Sequence, residues 1–187
     1  MPIDIEAVLG NPTNVLGDAL LVPVARGPQE VGLAIRQLKA RFGTAFLENV
    51  PSDHWAGDAF LIHDSLASRE HLKVIVLVID DHRELSLRVL IDCGLDELVQ
   101  RDEPEQQKFP QVRHVVIAPL QTRYQDPDGY GVIEGTAQAL VKICKTLKRR
   151  LPEVEKITAV FDPMSLSSIP RGDILGRFNW ALAEDIT

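Results

Sequence analysis

The sequence predicts a three-layer α/β/α fold around a mixed, mostly parallel sheet, and three observations carry that reading. Five apolar runs rich in β-branched residues recur along the chain, the clearest at 19–25, 73–80 and 112–120. Most segments between them place apolar residues at helical spacing. The runs are continuous, as in strands buried on both faces, so helices should cover both sides of the sheet.

Ile3, Ile5 and Val8 begin a first strand whose partial alternation suits an edge with one wet face. The turn signal Gly10-Asn-Pro-Thr13 stops it. A second strand spans 19–25 and meets the breaker Arg26-Gly-Pro28; Pro23 cannot donate to a ladder, so a bulge or an early end is expected there. Val31, Ala34, Ile35, Leu38 and Phe42 then form a helical stripe that Gly43 ends. Residues 57–63 and 73–80 read as strands, and their short connection favours an antiparallel pair.

Leu87, Leu90, Ile91, Leu95, Leu98 and Val99 give a second helix, which Gly94 weakens at its middle. Residues 112–120 return to the sheet, and a loop rich in glycine, aspartate and tyrosine follows at 123–131. A third helix carries Ile133, Ala137, Leu140, Val141, Cys144, Leu147 and Leu151 on one stripe before Pro152. Residues 156–161 form the last strand. Ile174, Leu175, Phe178, Ala181 and Leu182 then mark a terminal helix.

At 187 residues the chain suits one core, so 1–187 reads as a single domain with 164–187 as a C-terminal extension. No apolar stretch approaches the roughly 20 residues that span a bilayer. The start, Met1-Pro-Ile-Asp-Ile-Glu, lacks the basic and apolar regions of a signal peptide, and the expected compartment is the cytoplasm. A net charge of −7 argues against nucleic acid as a partner. The basic stretch 142–150 is read as a solvated helix end that complements the dipole. Cys93 and Cys144 form no CxxC pair and read as buried free thiols.

Open α/β sheets bind ligands outside the carboxyl ends of their strands, which directs attention to Ala25-Arg-Gly27, Asp80-Asp-His82, Leu120-Gln-Thr122 and Phe161-Asp162. Gly129, Gly131 and Gly135 let backbone approach a ligand, and the helix that starts there offers unpaired amides to a pyrophosphate. A plain surface turn is the competing reading. Arg26 beside Gly27 could grip a second phosphate. Asp80, Asp81 and His82 are the densest ionisable group at a strand end; a general base or an N-cap of the second helix would each use them. No HExxH spacing or nucleophile elbow is present, and the residue pattern requires neither metal nor cofactor.

In this order, the elements resemble the macro domain, a module that binds ADP-ribose and related nucleotides. Gly10-Asn-Pro-Thr13 followed by Asp18-Ala-Leu-Leu-Val-Pro-Val-Ala25 stands where that family has Gly-Asp-Ile-Thr and Asp-Ala-Ile-Val-Asn-Ala-Ala-Asn. Residues 57–80 look like its hairpin and 112–131 like its phosphate-loop segment. The layout is also similar to the non-catalytic N-terminal domain of leucine aminopeptidases.

The resemblance implies an adenine contact at Asn11, in place of the family's aspartate, and phosphate contacts at Gln121, Thr122, Gly129, Tyr130 and Gly131. It also implies base stacking by Phe161, for which core packing is the alternative. For Asp162 it implies a ribose contact, with capping the alternative. The implied function is a binding module or sensor for an NAD-derived nucleotide, with a small-molecule nucleotide as partner. The alternatives are a hydrolase of ADP-ribosyl groups and a structural or assembly domain. The family's asparagine- and glycine-rich first loop is replaced here, which counts against the hydrolase. Homo-oligomerisation stays open.

Overall fold

A computed structural model describes residues 2–24, 33–44, 55–62, 74–80, 85–99, 112–121 and 128–184. Within them the strands are β1 (Asp4–Leu9), β2 (Ala19–Val24), β3 (Ala59–Ile62), β4 (Val74–Ile79), β5 (His114–Ile117) and β6 (Lys156–Phe161). The helices are α1 (Leu33–Phe42), α2 (Leu87–Val99), α3 (Tyr130–Arg150) and α4 (Arg171–Glu184), with a 3-10 turn at Pro12–Asn14 after β1. The sheet order is β1-β6-β5-β2-β4-β3. All neighbours are parallel except β3 and β4, whose antiparallel pairing matches the expectation from their short connection.

Successive side chains of a strand point to opposite faces, and both faces here are apolar. Leu20 and Val22 of β2 pack with Ile75, Leu77, Val116 and Val160 beneath Ile35 and Leu38 of α1. Leu21, Val76, Val115, Ile157 and Phe161 face the other way, under α2, α3 and α4. All six residues of β4 are 0% exposed, which is why that run shows no alternation. Gly94 leaves α2 unbroken. A Cβ at Gly94 would lie 2.3 Å from Leu21 Cδ1 and 2.7 Å from Val78 Cγ2, so the missing side chain lets the helix sit close on the sheet.

Four expectations change. Neither Asp80 nor Asp81 is seen to cap α2; Asp81 lies outside the described residues, and Ser86 is the cap, its Oγ accepting from Val89 N at 3.4 Å. β5 is shorter than the apolar run 112–120, and both of its ladders stop at Ile117. β2 does not end at Pro23 but continues in register with β4, Pro23 opposite Val78 and Val24 opposite Ile79. Asp80 N donates to Val24 O and Ala118 N to Leu21 O, each at 2.9 Å, so even-numbered residues of β2 bond to β4 and odd-numbered ones to β5. The missing donor of Pro23 therefore falls on the β5 side. The basic helix end is more than a solvated face. Lys148 Nζ donates to the carbonyls of Pro152 at 2.5 Å and Val154 at 2.9 Å, and Arg150 clamps Asp92 and Asp96 of α2.

Cys93 and Cys144 are free and half-buried, and burial pushes the Cys144 thiol up to about 11. Asp18 sets the start of β5, its Oδ2 accepting from the backbone N–H groups of Arg113 at 2.8 Å and His114 at 3.0 Å.

The amino end of the sheet carries a polar chain. Lys156 Nζ lies 2.9 Å from Glu6 Oε1, which also accepts from Thr158 Oγ1 at 3.0 Å. Thr158 has one proton and gives it to Glu6, so His114 Nε2, 2.8 Å away, is the donor. Burial pushes the His114 pKa below its usual 6.5, and the Lys156 charge acts in the same direction against the weaker pull of Glu6, Asp18 and Asp4. The unfolded chain thus takes up this proton more readily than the folded one. His114 costs nothing well above pH 6.5 and destabilises increasingly as the pH falls through that value. His114→Gln keeps a donor for Thr158 and should flatten the decline in Tm between about pH 7 and about pH 5.5. An unchanged slope would show that other groups carry it.

Candidate ligand-binding site

β2 and β5 are neighbours, yet the helices that follow them lie on opposite faces, α1 on one and α3 on the other. In open α/β sheets such a switch point is where a ligand crevice is expected. It lies beyond Val24 and Ile117. Asp80 after β4, Asp162 after β6 and Asn11 after β1 stand along the same carboxyl edge of the sheet.

The donor side is the start of α3. Gly129 is its N-cap, buried and in left-handed backbone (φ 72°), and no side chain caps the helix. Among the described residues none is seen to cap its first-turn N–H groups, and the dipole of a 21-residue helix favours an anion there. Gly131 is exposed in that first turn. Tyr130 is held by α4 through its side chain: its hydroxyl donates to Asp173 Oδ2 at 3.3 Å, and the Arg177 guanidinium covers its ring at 4.8 Å. What Tyr130 retains for a ligand is backbone.

The approach to α3 is fixed by Gln121, the one non-glycine residue with positive φ (62°) among those described. Its N–H donates to Asp80 Oδ2 at 2.5 Å, and its Nε2 donates to the Leu85 carbonyl at 3.0 Å. Asp80 is 5% exposed. A carboxylate so enclosed and bonded to backbone anchors the loop, which is a different use from the general base considered for it.

Around β6 and β1 the structure chooses between the alternatives for two residues and revises a third. Phe161 is 0% exposed, with its ring edge-on to Phe178 at 5.7 Å, so it packs in the core and offers no face to a base. Asp162 caps the turn after β6 through Oδ1, which accepts from Met164 N at 2.8 Å, while its Oδ2 accepts from Gln37 Nε2 at 2.5 Å. Asn11 Oδ1 accepts from both Thr13 N and Thr13 Oγ1 at 2.8 Å. Both lone pairs are then used, and Asn11 presents an amide donor instead of the acceptor expected for an adenine amino group. Gln37 was not singled out from the sequence; its tie to Asp162 spans 125 positions and has no local signature. Arg26, Gly27, Thr122, Asp81 and His82 lie outside the described residues.

Among the described residues no group of three or more His, Cys, Asp or Glu could hold a metal ion, and no helix is long and apolar enough to cross a membrane.

The sequence matches no protein-family model and no curated protein. The backbone matches solved structures. A Trypanosoma brucei macrodomain in complex with ADP superposes with a TM-score of 0.67 at 12% identity, over 96% of this chain and 69% of that one. The macrodomain of Mycobacterium tuberculosis DarG gives 0.56 at 22% identity, over 84% and 97%. A tomato leucine aminopeptidase gives 0.61 at 14% identity, over 96% of this chain and 35% of the enzyme. The fold of this chain defines a macro-like α/β domain, a likeness the aminopeptidase match shares.

Proposed function

We propose that this domain binds ADP-ribose or a related NAD-derived nucleotide and acts as a binding module or sensor. The uncapped first turn of α3 carries this reading, because its amides open at the switch point where the sheet parts. Likeness to macrodomains crystallised with ADP and with ADP-ribose supports it. In this reading the pyrophosphate meets Gly129, Tyr130 and Gly131 through backbone, and Gln121, Thr122, Arg26 and Gly27 are the further proposed contacts. Asn11 donates its amide to a ring nitrogen of the base, and Asp162, with both oxygens engaged by Met164 and Gln37, supports the edge of the site. Asp80 is spent on the loop, which favours binding over hydrolysis.

Calorimetric titration with ADP-ribose, followed by a release assay on ADP-ribosylated protein, tests the reading. Binding without turnover is expected. Turnover would make the domain a hydrolase, and silence in both assays would leave an assembly domain of the aminopeptidase kind. Gly131→Val should weaken binding by roughly tenfold or more, the worth of one charge-assisted hydrogen bond. Valine forms helix better than glycine, so the thermal midpoint should not fall. Unchanged affinity would remove this turn from the site.

A further inference from the structure

At a switch point the crevice can reach only as deep as the end of the ladder between the two neighbouring strands. β2 and β6 each run six residues, whereas β5 between them runs four. The last pairs of β5 are Leu21 with Ile117 on one side and Ile117 with Ala159 on the other. Parallel ladders repeat every two residues, so the donors that would come next are fixed by the register. Toward β2 the next bond would run from the nitrogen of residue 23 to the Ala118 carbonyl, and residue 23 is proline. Toward β6 it would run from the nitrogen of residue 119, which is also proline.

We propose that Pro23, assisted by Pro119, is a positioning residue that holds the ligand crevice open by denying β5 its next ladder bonds. The ligand part of this inference rests on the nucleotide reading above. Pro23 is the decisive member, because β2 is otherwise paired to its end: Val24 O still accepts from Asp80 N at 2.9 Å. An ordinary residue at 23 would offer its N–H to Ala118, and the edge would zip one step further toward Gln121. With that bond denied, the stretch after Ile117 turns away and Gln121 takes its left-handed backbone against Asp80. Proline is tolerated here because its ring nitrogen faces β5, so the ladder from β2 to β4 loses no donor.

Pro23→Val tests this directly, with Pro23→Ala as the second variant should the branched side chain impair folding. The new amide at 23 is expected to be protected from hydrogen exchange, and ADP-ribose affinity to fall by roughly tenfold or more as the opposed amides lose their geometry. Near-ultraviolet circular dichroism should remain native. A freely exchanging amide at 23 overturns the proposal, and so does a protected amide with undiminished affinity. Should the unmodified protein ignore ADP-ribose, the nucleotide reading fails by itself. Protection at 23 would then still decide whether proline keeps these strands apart.

Discussion

Phe178→Ala is expected to cost about 3–5 kcal/mol, the range for removing a buried aromatic ring and leaving a cavity. The ring is 0% exposed and meets Phe161 at 5.7 Å, with Ile174 and Ala181 of the same helix buried beside it. Small domains are stable by only about 5–15 kcal/mol, so this one change should bring the protein near its unfolding threshold. Urea titration would show it as a lower midpoint with an unchanged slope. Trp180→Ala, on the same helix but 47% exposed, is the control and should shift stability by about 1 kcal/mol or less. The contrast bears on domain organisation. If residues 164–187 were an appendage, both substitutions would be mild; if α4 completes the core, ending the chain after Asp162 would uncover Phe161 and abolish cooperative folding.

The parts of the fold that were legible in the sequence are those whose causes are local. β6 runs over the residues its apolar pattern marks, because β1 pairs with it along its whole length and β5 along its first four residues. The α3 stripe also needs no distant partner: Ile133, Ala137, Leu140, Val141 and Leu147 are all buried as their spacing implies. β5 was misjudged at both ends because its limits are set from the β2 side, at its start by Asp18 and at its end by the proposed action of Pro23. The cap of α2 was missed for a similar reason. Asp80 looked available to cap, but its carboxylate serves Gln121, 41 positions along the chain.

At the site, glycine spacing pointed to the turn at 129–131, since left-handed backbone and close approach both select glycine. Of the two readings weighed for Phe161 and Asp162, the local one holds in each case, core packing and capping, whereas Asn11 was expected to accept and does not. An asparagine two residues before a threonine is an Asx turn as readily as a ligand contact, and which one holds depends on where its lone pairs go. Phe161 was decided by Phe178, in a helix whose docking no local pattern encodes. Gln37 carried no signal, because a polar residue on an amphipathic helix reads as solvated until its partner across the crevice edge is known.

Asp80 separates the two uses of a carboxylate at this edge, and the expected results differ for its two simplest replacements. Asp80→Ala removes the acceptor from the Gln121 N–H, and an unsatisfied buried donor costs about 1–3 kcal/mol. Gln121 is also held at φ 62°, a conformation that a non-glycine residue gives up once its tether is gone. The loop should therefore relax, the amides of the α3 turn should lose their alignment, and ADP-ribose affinity should fall together with stability. Asp80→Asn keeps an oxygen toward Gln121 and should retain most of both. A general base would behave in the opposite sense: Asn would abolish turnover while leaving stability and affinity intact. Urea unfolding, calorimetric titration and a release assay on the same three proteins distinguish these patterns. Loss of turnover in Asp80→Asn with affinity unchanged would overturn the anchor and make this carboxylate catalytic.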